Sequence, residues 1–154
     1  MKSLFDIKTE LLNELPHHNL VITAPTGAGK STQIPQWLIH THKVLMIQPR
    51  RIATKSLAHR IAEELKSPIG KTVGYSVRQD QCYSKQSRLI MVTPGIALRI
   101  IHGKNLDDFD VIIFDEFHER GLEQDLLLAL CRQRNKRIII LSATIAAPRI
   151  FKQS

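Results

Sequence analysis

The sequence predicts an α/β fold, a mostly parallel sheet with helices on both faces. Three observations carry that expectation. Five short apolar runs are spread along the chain: LVIT (20–23), KVLMIQ (43–48), RLIMVT (88–93), VIIFD (111–115) and RIIILS (137–142). Each is continuous rather than alternating, as in parallel strands covered on both sides. Helical stretches separate the runs, and the unusual residue clusters follow the runs directly. Strand–helix alternation of this kind builds an open sheet with right-handed crossovers, in which ligands collect at the carboxyl ends of the strands.

Taken in order, the first run leads into APTGAGKST (24–32), a glycine-rich loop placed to open a helix. The second leads into QPRR (48–51) and then a helix with Ala53, Leu57, Ile61 and Leu65 on one stripe. Lys55, Arg60, Glu63 and Glu64 fall largely outside that stripe, as an amphipathic helix requires. VGYSV (73–77) is read as a further, shorter strand. The fourth run ends in DEFHER (115–120), after which Leu122, Leu126 and Leu130 repeat the helical device. RQRNKR (132–137) enters the last run at its amino end, across the sheet from the other clusters, and is read as a solvated loop.

Composition sets the wider bounds. At 154 residues the chain accommodates one domain with its own core and not two ordinary ones. Lys and Arg outnumber Asp and Glu by 22 to 14, a net charge of +8 that favours polyanionic partners without proving one. Cys82 and Cys131 lie far apart and read as reduced thiols. The histidine pairs at 17–18 and 40/42 lack acids or cysteines at ligand spacing. Neither a signal peptide nor a membrane span is evident, so a soluble cytoplasmic protein with no membrane partner is expected.

The loop at 24–32 fits the phosphate-loop pattern G-x-x-x-x-G-K-S/T with Ala24 in place of the first glycine. Pro25, Thr26, Gly27, Ala28 and Gly29 would curl their backbone around an anion, and the helix from Lys30 would point its positive end at it. Lys30 would reach the β- and γ-phosphates of ATP, and the Ser31 hydroxyl, followed by Thr32, would ligate Mg²⁺. A simple glycine turn leaves the Lys–Ser pair unexplained. Asp115 is expected at the end of a strand next to the loop strand, where it would complete the Mg²⁺ shell. Glu116 would then orient or deprotonate the attacking water. Without a nearby cation the two adjacent carboxylates would repel each other. His118, two residues further on, is read either as structural or as a sensor linking the nucleotide to another site.

Together these motifs resemble those of the DEAH-box helicases, superfamily 2 ATPases acting mostly on RNA. APTGAGKSTQIPQW resembles motif I, QPRR motif Ia, TPG (93–95) motif Ib, DEFHER motif II and SAT (142–144) motif III. The likeness covers nearly the whole chain in order, and DEFHER, with Phe117 in place of alanine, is most similar to the bacterial HrpB type. The resemblance implies a RecA-like P-loop NTPase fold. It also implies that Arg50, Arg51 and Thr93 meet a sugar-phosphate chain, contacts that fix register without reading sequence. Ser142 and Thr144 would couple the phosphates to strand movement, with His118 as their neighbour. Arg60 matches the position that stacks on adenine, its other reading being a plain surface arginine. Pro94 stands where the family more often has an acid.

In that family a second RecA-like domain follows motif III, and residues 1–154 hold only the first. The expectation is therefore the ATP-binding half of a helicase, incomplete for unwinding alone and needing a second domain in cis or in trans. Two other readings stay open: a non-catalytic nucleotide- and nucleic-acid-binding module, and a P-loop ATPase unconnected with nucleic acid. The joint presence of QPRR, TPG and SAT disfavours the last. RNA and DNA are not distinguished by phosphate contacts.

Overall fold

The computed structural model describes residues 3–103, 105–117 and 121–153. The His118 expectation therefore lies outside the described residues. Among the described residues, eight strands and five α-helices follow one another: α1 (Lys8–Glu14), β1 (Asn19–Ala24), α2 (Lys30–Leu38), β2 (Val44–Ile47), α3 (Arg51–Glu64), β3 (Val73–Val77), β4 (Asp80–Cys82), β5 (Leu89–Val92), α4 (Pro94–His102), β6 (Val111–Phe114), α5 (Leu122–Gln133), β7 (Arg137–Ala143) and β8 (Arg149–Gln153). They form one sheet in the order β4-β3-β5-β2-β6-β7-β1-β8. The six inner strands are parallel and the two edge strands antiparallel. No helix among the described residues is long and apolar enough to cross a membrane.

The continuous runs are continuous because alternate residues enter two cores. On one face Val44, Met46, Met91, Val111 and Ile113 pack with Trp37 and Leu38 of α2 and Ala58 and Ile61 of α3. On the other, Leu45, Ile47, Val92, Ile112 and Phe114 pack with Ala97 and Ile101 of α4 and Leu127 and Cys131 of α5. Burial on both faces fixes register firmly, because a one-residue slip would exchange the two cores. The carboxyl ends of β1, β2, β5, β6 and β7 therefore share one edge of the sheet.

Several expectations need correction. The strand carrying Asp115 is not next to the loop strand: β7 lies between β6 and β1, pairing with both. On α5 the buried positions are Gln124, Leu127, Leu128 and Cys131, while Leu122 is 86% and Leu126 47% exposed. The leucines at 122, 126 and 130 recur every four residues, but the richer face with both i+3 and i+4 neighbours is rotated away from them. On α3 the buried face is Thr54, Ala58, Ile61 and Ala62, so Leu57 and Leu65 lie at its margin. RQRNKR is largely exposed, as expected, but its first two residues complete α5 and its later cations are tethered to the chain. Arg134 donates to the Ile101 carbonyl at 2.9 Å and Lys136 to the Phe109 carbonyl at 2.9 Å. Arg137 donates to the Pro16 carbonyl at 3.2 Å. Cationic side chains near such chain ends satisfy carbonyls that the helices and strands leave unpaired.

The β3–β4 hairpin approaches closely at Gly74, where a Cβ would lie 2.5 Å from the Cys82 carbonyl oxygen and 2.8 Å from the Tyr83 Cα. Backbone cannot swing aside as a side chain can. Gly74→Ala should destabilise the chain by about 1–3 kcal/mol, the usual cost of overpacking, read as a lower denaturation midpoint in urea.

Candidate active site

After β1 the chain turns at once, with the Ala28 N–H donating to the Pro25 carbonyl at 3.1 Å. Ala24 is fully buried as the last strand residue, in register with Ala143 of β7, so a side chain is accommodated where the pattern has glycine. Gly27 and Gly29 both take left-handed backbone, at φ +85° and +91°. Gly29 is the N-cap of α2 and supplies no side-chain cap, leaving the first N–H groups of the helix to another acceptor. The conformation costs little at glycine and much at a residue with a Cβ. Thr32 turns inward, its hydroxyl donating to the Gly29 carbonyl at 3.2 Å.

Gly27, Gly29, Lys30, Ser31 and Thr32, with Leu57 and Arg60 of α3, line a cavity of about 170 Å³. Lys30 is 7% exposed. Arg60 is held from behind: its Nε lies 3.5 Å from Glu64 Oε2, and Glu64 Oε1 accepts from Gln33 at 3.2 Å and Gln36 at 2.9 Å. Arg60 thus stands at the rim of the phosphate-loop cavity with its side chain 68% exposed, a placement that both of its readings share.

Asp115 sits just past β6, its N–H donating to the Ile47 carbonyl at 2.8 Å, and is 0% exposed. The Ser31 hydroxyl donates to its Oδ1 at 3.0 Å. The Glu116 N–H donates to the same oxygen at 2.9 Å, and Gln48 Nε2 to Oδ2 at 2.8 Å. The loop and the acidic strand meet across β7 because Ser31 projects over it. Burial pushes the Asp115 carboxyl above the ordinary aspartate range, and the Glu116 charge adds to the rise. The Ser31 and Glu116 N–H hydrogen bonds and the nearby Lys30 charge oppose it. A buried carboxylate beside a hydroxyl, with an anion cradle on the far side of that hydroxyl, has the donor set of a hard divalent cation. The site fits Mg²⁺.

Glu116 has φ +51°, a left-handed backbone that a residue with a side chain seldom adopts. Two neighbours hold it there. Its own N–H is bound to Asp115, and the next N–H, of Phe117, donates to the Leu141 carbonyl of β7 at 3.1 Å. The Phe117 ring packs edge-on to Phe114, centroids 6.0 Å apart, and is buried in the α5-side core. Strain of this kind gathers at functional positions. Phe117 is therefore the anchor of the Glu116 turn.

The remaining expected residues occupy the same sheet edge. Ser142 pairs with Thr23 across β7 and β1, and the Thr144 N–H donates to the Ala24 carbonyl at 3.2 Å. Arg50 and Arg51 begin α3 after β2, and Thr93 is the N-cap of α4 after β5. Because β2 and β5 pair in register, the 48–51 and 93–95 loops stand side by side, and β2 adjoins β6, the strand that ends at Asp115. The sequence reading missed Gln48 and Leu57 as site residues. Gln48 stood in a quoted motif, and its one signal was a polar residue closing an apolar run.

A phosphate loop on the first strand, closed by a buried aspartate with one strand between, defines a P-loop nucleotide-binding domain of the RecA-like class. The chain belongs to the DEAD/DEAH box helicase family, whose model matches residues 6–151. It is 37% identical to the DExH-box ATP-dependent RNA helicase DExH1 of Arabidopsis thaliana, over 93% of this chain and 16% of that protein. It is 39% identical to the ATP-dependent RNA helicase HrpB of Escherichia coli K12, over 85% of this chain and 18% of HrpB. The crystal structure of the E. coli DExH-box NTPase HrpB superimposes with a TM-score of 0.86 and 38% identity, over 95% of this chain and 20% of that one. The chain thus spans a fifth or less of the length of these relatives.

The raised Asp115 pKa gives a signed expectation. A carboxyl whose folded pKa exceeds its unfolded value favours folding while protonated, and that contribution is lost as pH rises past the unfolded value toward the folded one. Asparagine at 115 does not titrate. The stability difference between Asp115→Asn and the unaltered chain, both nucleotide- and metal-free, should therefore move in favour of asparagine as pH rises from about 4, the ordinary aspartate value, toward neutrality. Urea denaturation midpoints across that range measure it, and a shift toward aspartate would contradict the assignment of burial as the dominant cause.

Proposed function

We propose that residues 1–154 form the ATP-binding domain of a DEAH-box nucleic-acid helicase, which couples Mg²⁺·ATP binding and hydrolysis to movement on single-stranded nucleic acid in the cytoplasm. The observation that carries this reading is the 3.0 Å contact between Ser31 and Asp115, which joins the phosphate loop to the acidic strand. The names of the relatives favour RNA over DNA. The free thiols of Cys82 and Cys131 suit a reducing compartment.

In this reading the loop 24–32 cradles the triphosphate with backbone N–H groups, and Lys30 pairs with the β- and γ-phosphates. Ser31 and Asp115 would hold Mg²⁺, which would supply positive charge to the phosphate oxygens. Glu116 accepts a proton from the water that attacks the γ-phosphorus, and its fixed turn keeps the carboxylate oriented for that transfer. Arg60, steadied by Glu64, stacks on the adenine. Arg50, Arg51 and Thr93 bind the sugar-phosphate chain. Ser142 and Thr144, whose backbones touch the loop strand, transmit the state of the phosphates, with His118 as a sensor. A second RecA-like domain, in cis or in trans, supplies the cation on the far side of the γ-phosphate. In P-loop enzymes such an arginine accelerates hydrolysis by roughly 10³–10⁵.

Lys30→Ala should weaken binding of a non-hydrolysable ATP analogue about tenfold or more, one charge-assisted contact of roughly 1.5–3 kcal/mol. Calorimetry on the folded variant decides it, and unchanged affinity would remove Lys30 from the site. Single-strand affinity should be independent of sequence and fall steeply with salt, as counterion release requires. Replacing Arg50 and Arg51 by alanine should reduce that affinity far more than replacing Lys71 and Lys85, both exposed and away from the two loops. Equal losses from the two pairs, read by fluorescence anisotropy, would mean that net charge alone holds the strand.

A further inference from the structure

Gln48 closes β2, and its side chain is buried at 1% exposure between two parts of the site that the motifs treat separately. Its Nε2 donates to Asp115 Oδ2 at 2.8 Å. Its Oε1 accepts the Arg50 N–H at 3.4 Å. The amide can stand only one way round, because reversing it would set a carbonyl oxygen against the carboxylate and an NH₂ group against an N–H. The arrangement follows from register. Ile47 pairs with Phe114, so the next residues, Gln48 and Asp115, end neighbouring strands together. The Gln48 N–H also donates to the Val92 carbonyl at 2.9 Å, which fixes its backbone to the strand preceding Thr93.

We propose that Gln48 is a positioning residue that sets the rotation of the Asp115 carboxylate and ties it mechanically to the nucleic-acid loop at Arg50. The inference rests on the reading of Asp115 as a Mg²⁺ ligand. With Oδ2 held by Gln48, Oδ1 is turned toward Ser31, the edge at which a cation meets both oxygens. Donors behind a ligating carboxylate orient it, and their loss weakens metal binding by roughly 10–100-fold. The second half of the amide makes the device two-way. Arg50 is the N-cap of α3, and its carbonyl accepts the Thr54 hydroxyl at 2.7 Å, so movement of the loop backbone is passed to the helix and to the Gln48 amide together. A strand seated on Arg50 and Arg51 shifts the acceptor of that N–H, and the carboxylate turns with it. By linkage, filling the metal site changes affinity for the strand by the same factor.

Gln48→Met tests this, keeping side-chain length while removing both hydrogen bonds. Calorimetry with a non-hydrolysable ATP analogue should show unchanged nucleotide affinity without metal. The Mg²⁺ concentration for half-maximal enhancement of that binding should rise about tenfold. In the unaltered chain an oligouridylate should change that Mg²⁺ requirement, and in Gln48→Met the change should vanish while the oligonucleotide still binds. An unaltered chain without Mg²⁺-dependent nucleotide binding would overturn the underlying reading and this inference with it. Normal binding by the unaltered chain, with the same Mg²⁺ requirement in folded Gln48→Met, would overturn this inference alone. Should the variant fail to fold, the Arg50 amide resonance of the unaltered chain decides: it should shift when Mg²⁺ is added to the nucleotide-bound protein, and an unmoved resonance excludes the link.

Discussion

A buried carboxylate at the end of the central strand is the constraint on which this site depends. Asp115 is excluded from solvent, and each of its oxygens is occupied: Ser31 and the Glu116 N–H on one, Gln48 on the other. Leaving such a group unpaired in the interior would cost several kcal/mol, so its donors are not free to wander. Three chain segments far apart in sequence are thereby brought to one point. The phosphate loop is drawn across β7, the β2 loop is held from the other side, and the Glu116 turn is bent into left-handed backbone.

The sheet order gives the site its division of labour. β1, β7 and β6 carry the loop, the SAT segment and the acidic pair, while β2 and β5 carry QPRR and TPG. Only one pair of adjacent strands, β2 and β6, joins the two halves, and it ends in Gln48 and Asp115. Parallel strands buried on both faces transmit small displacements because neither core can absorb them independently. On the β1 side the hydrogen bonds of Thr144 to Ala24 and of Phe117 to Leu141 play the corresponding part, tying the motif III strand to both neighbours.

What was legible in the sequence follows from how much of the signal was local. The five continuous runs and VGYSV all became inner strands, because double-sided burial leaves an unbroken apolar mark. β4 and β8 left none: Asp-Gln-Cys is short and polar, and the edge strand Arg-Ile-Phe-Lys-Gln is half exposed. The glycines, Lys30 and Ser31 of the loop were visible as a pattern, since backbone geometry demands particular residues there. Strand order was not, because adjacency is a property of pairing between distant segments, and the place of β7 between β6 and β1 was missed for that reason. The leucines at 122 and 126 misled because helical spacing identifies a stripe without saying which side the sheet lies on. Gln48 was hidden more thoroughly. Its role exists only once Asp115 and Arg50 have been placed around it.

The proposed metal–nucleotide site rests on Ser31 and Asp115 acting together. Crystals grown with Mn²⁺ and a non-hydrolysable ATP analogue test it directly through the anomalous signal of the metal. One strong peak is expected beside the Ser31 hydroxyl and Asp115 Oδ1, with the nucleotide phosphates in the loop. A nucleotide bound elsewhere, or a metal with neither residue nearby, would contradict it.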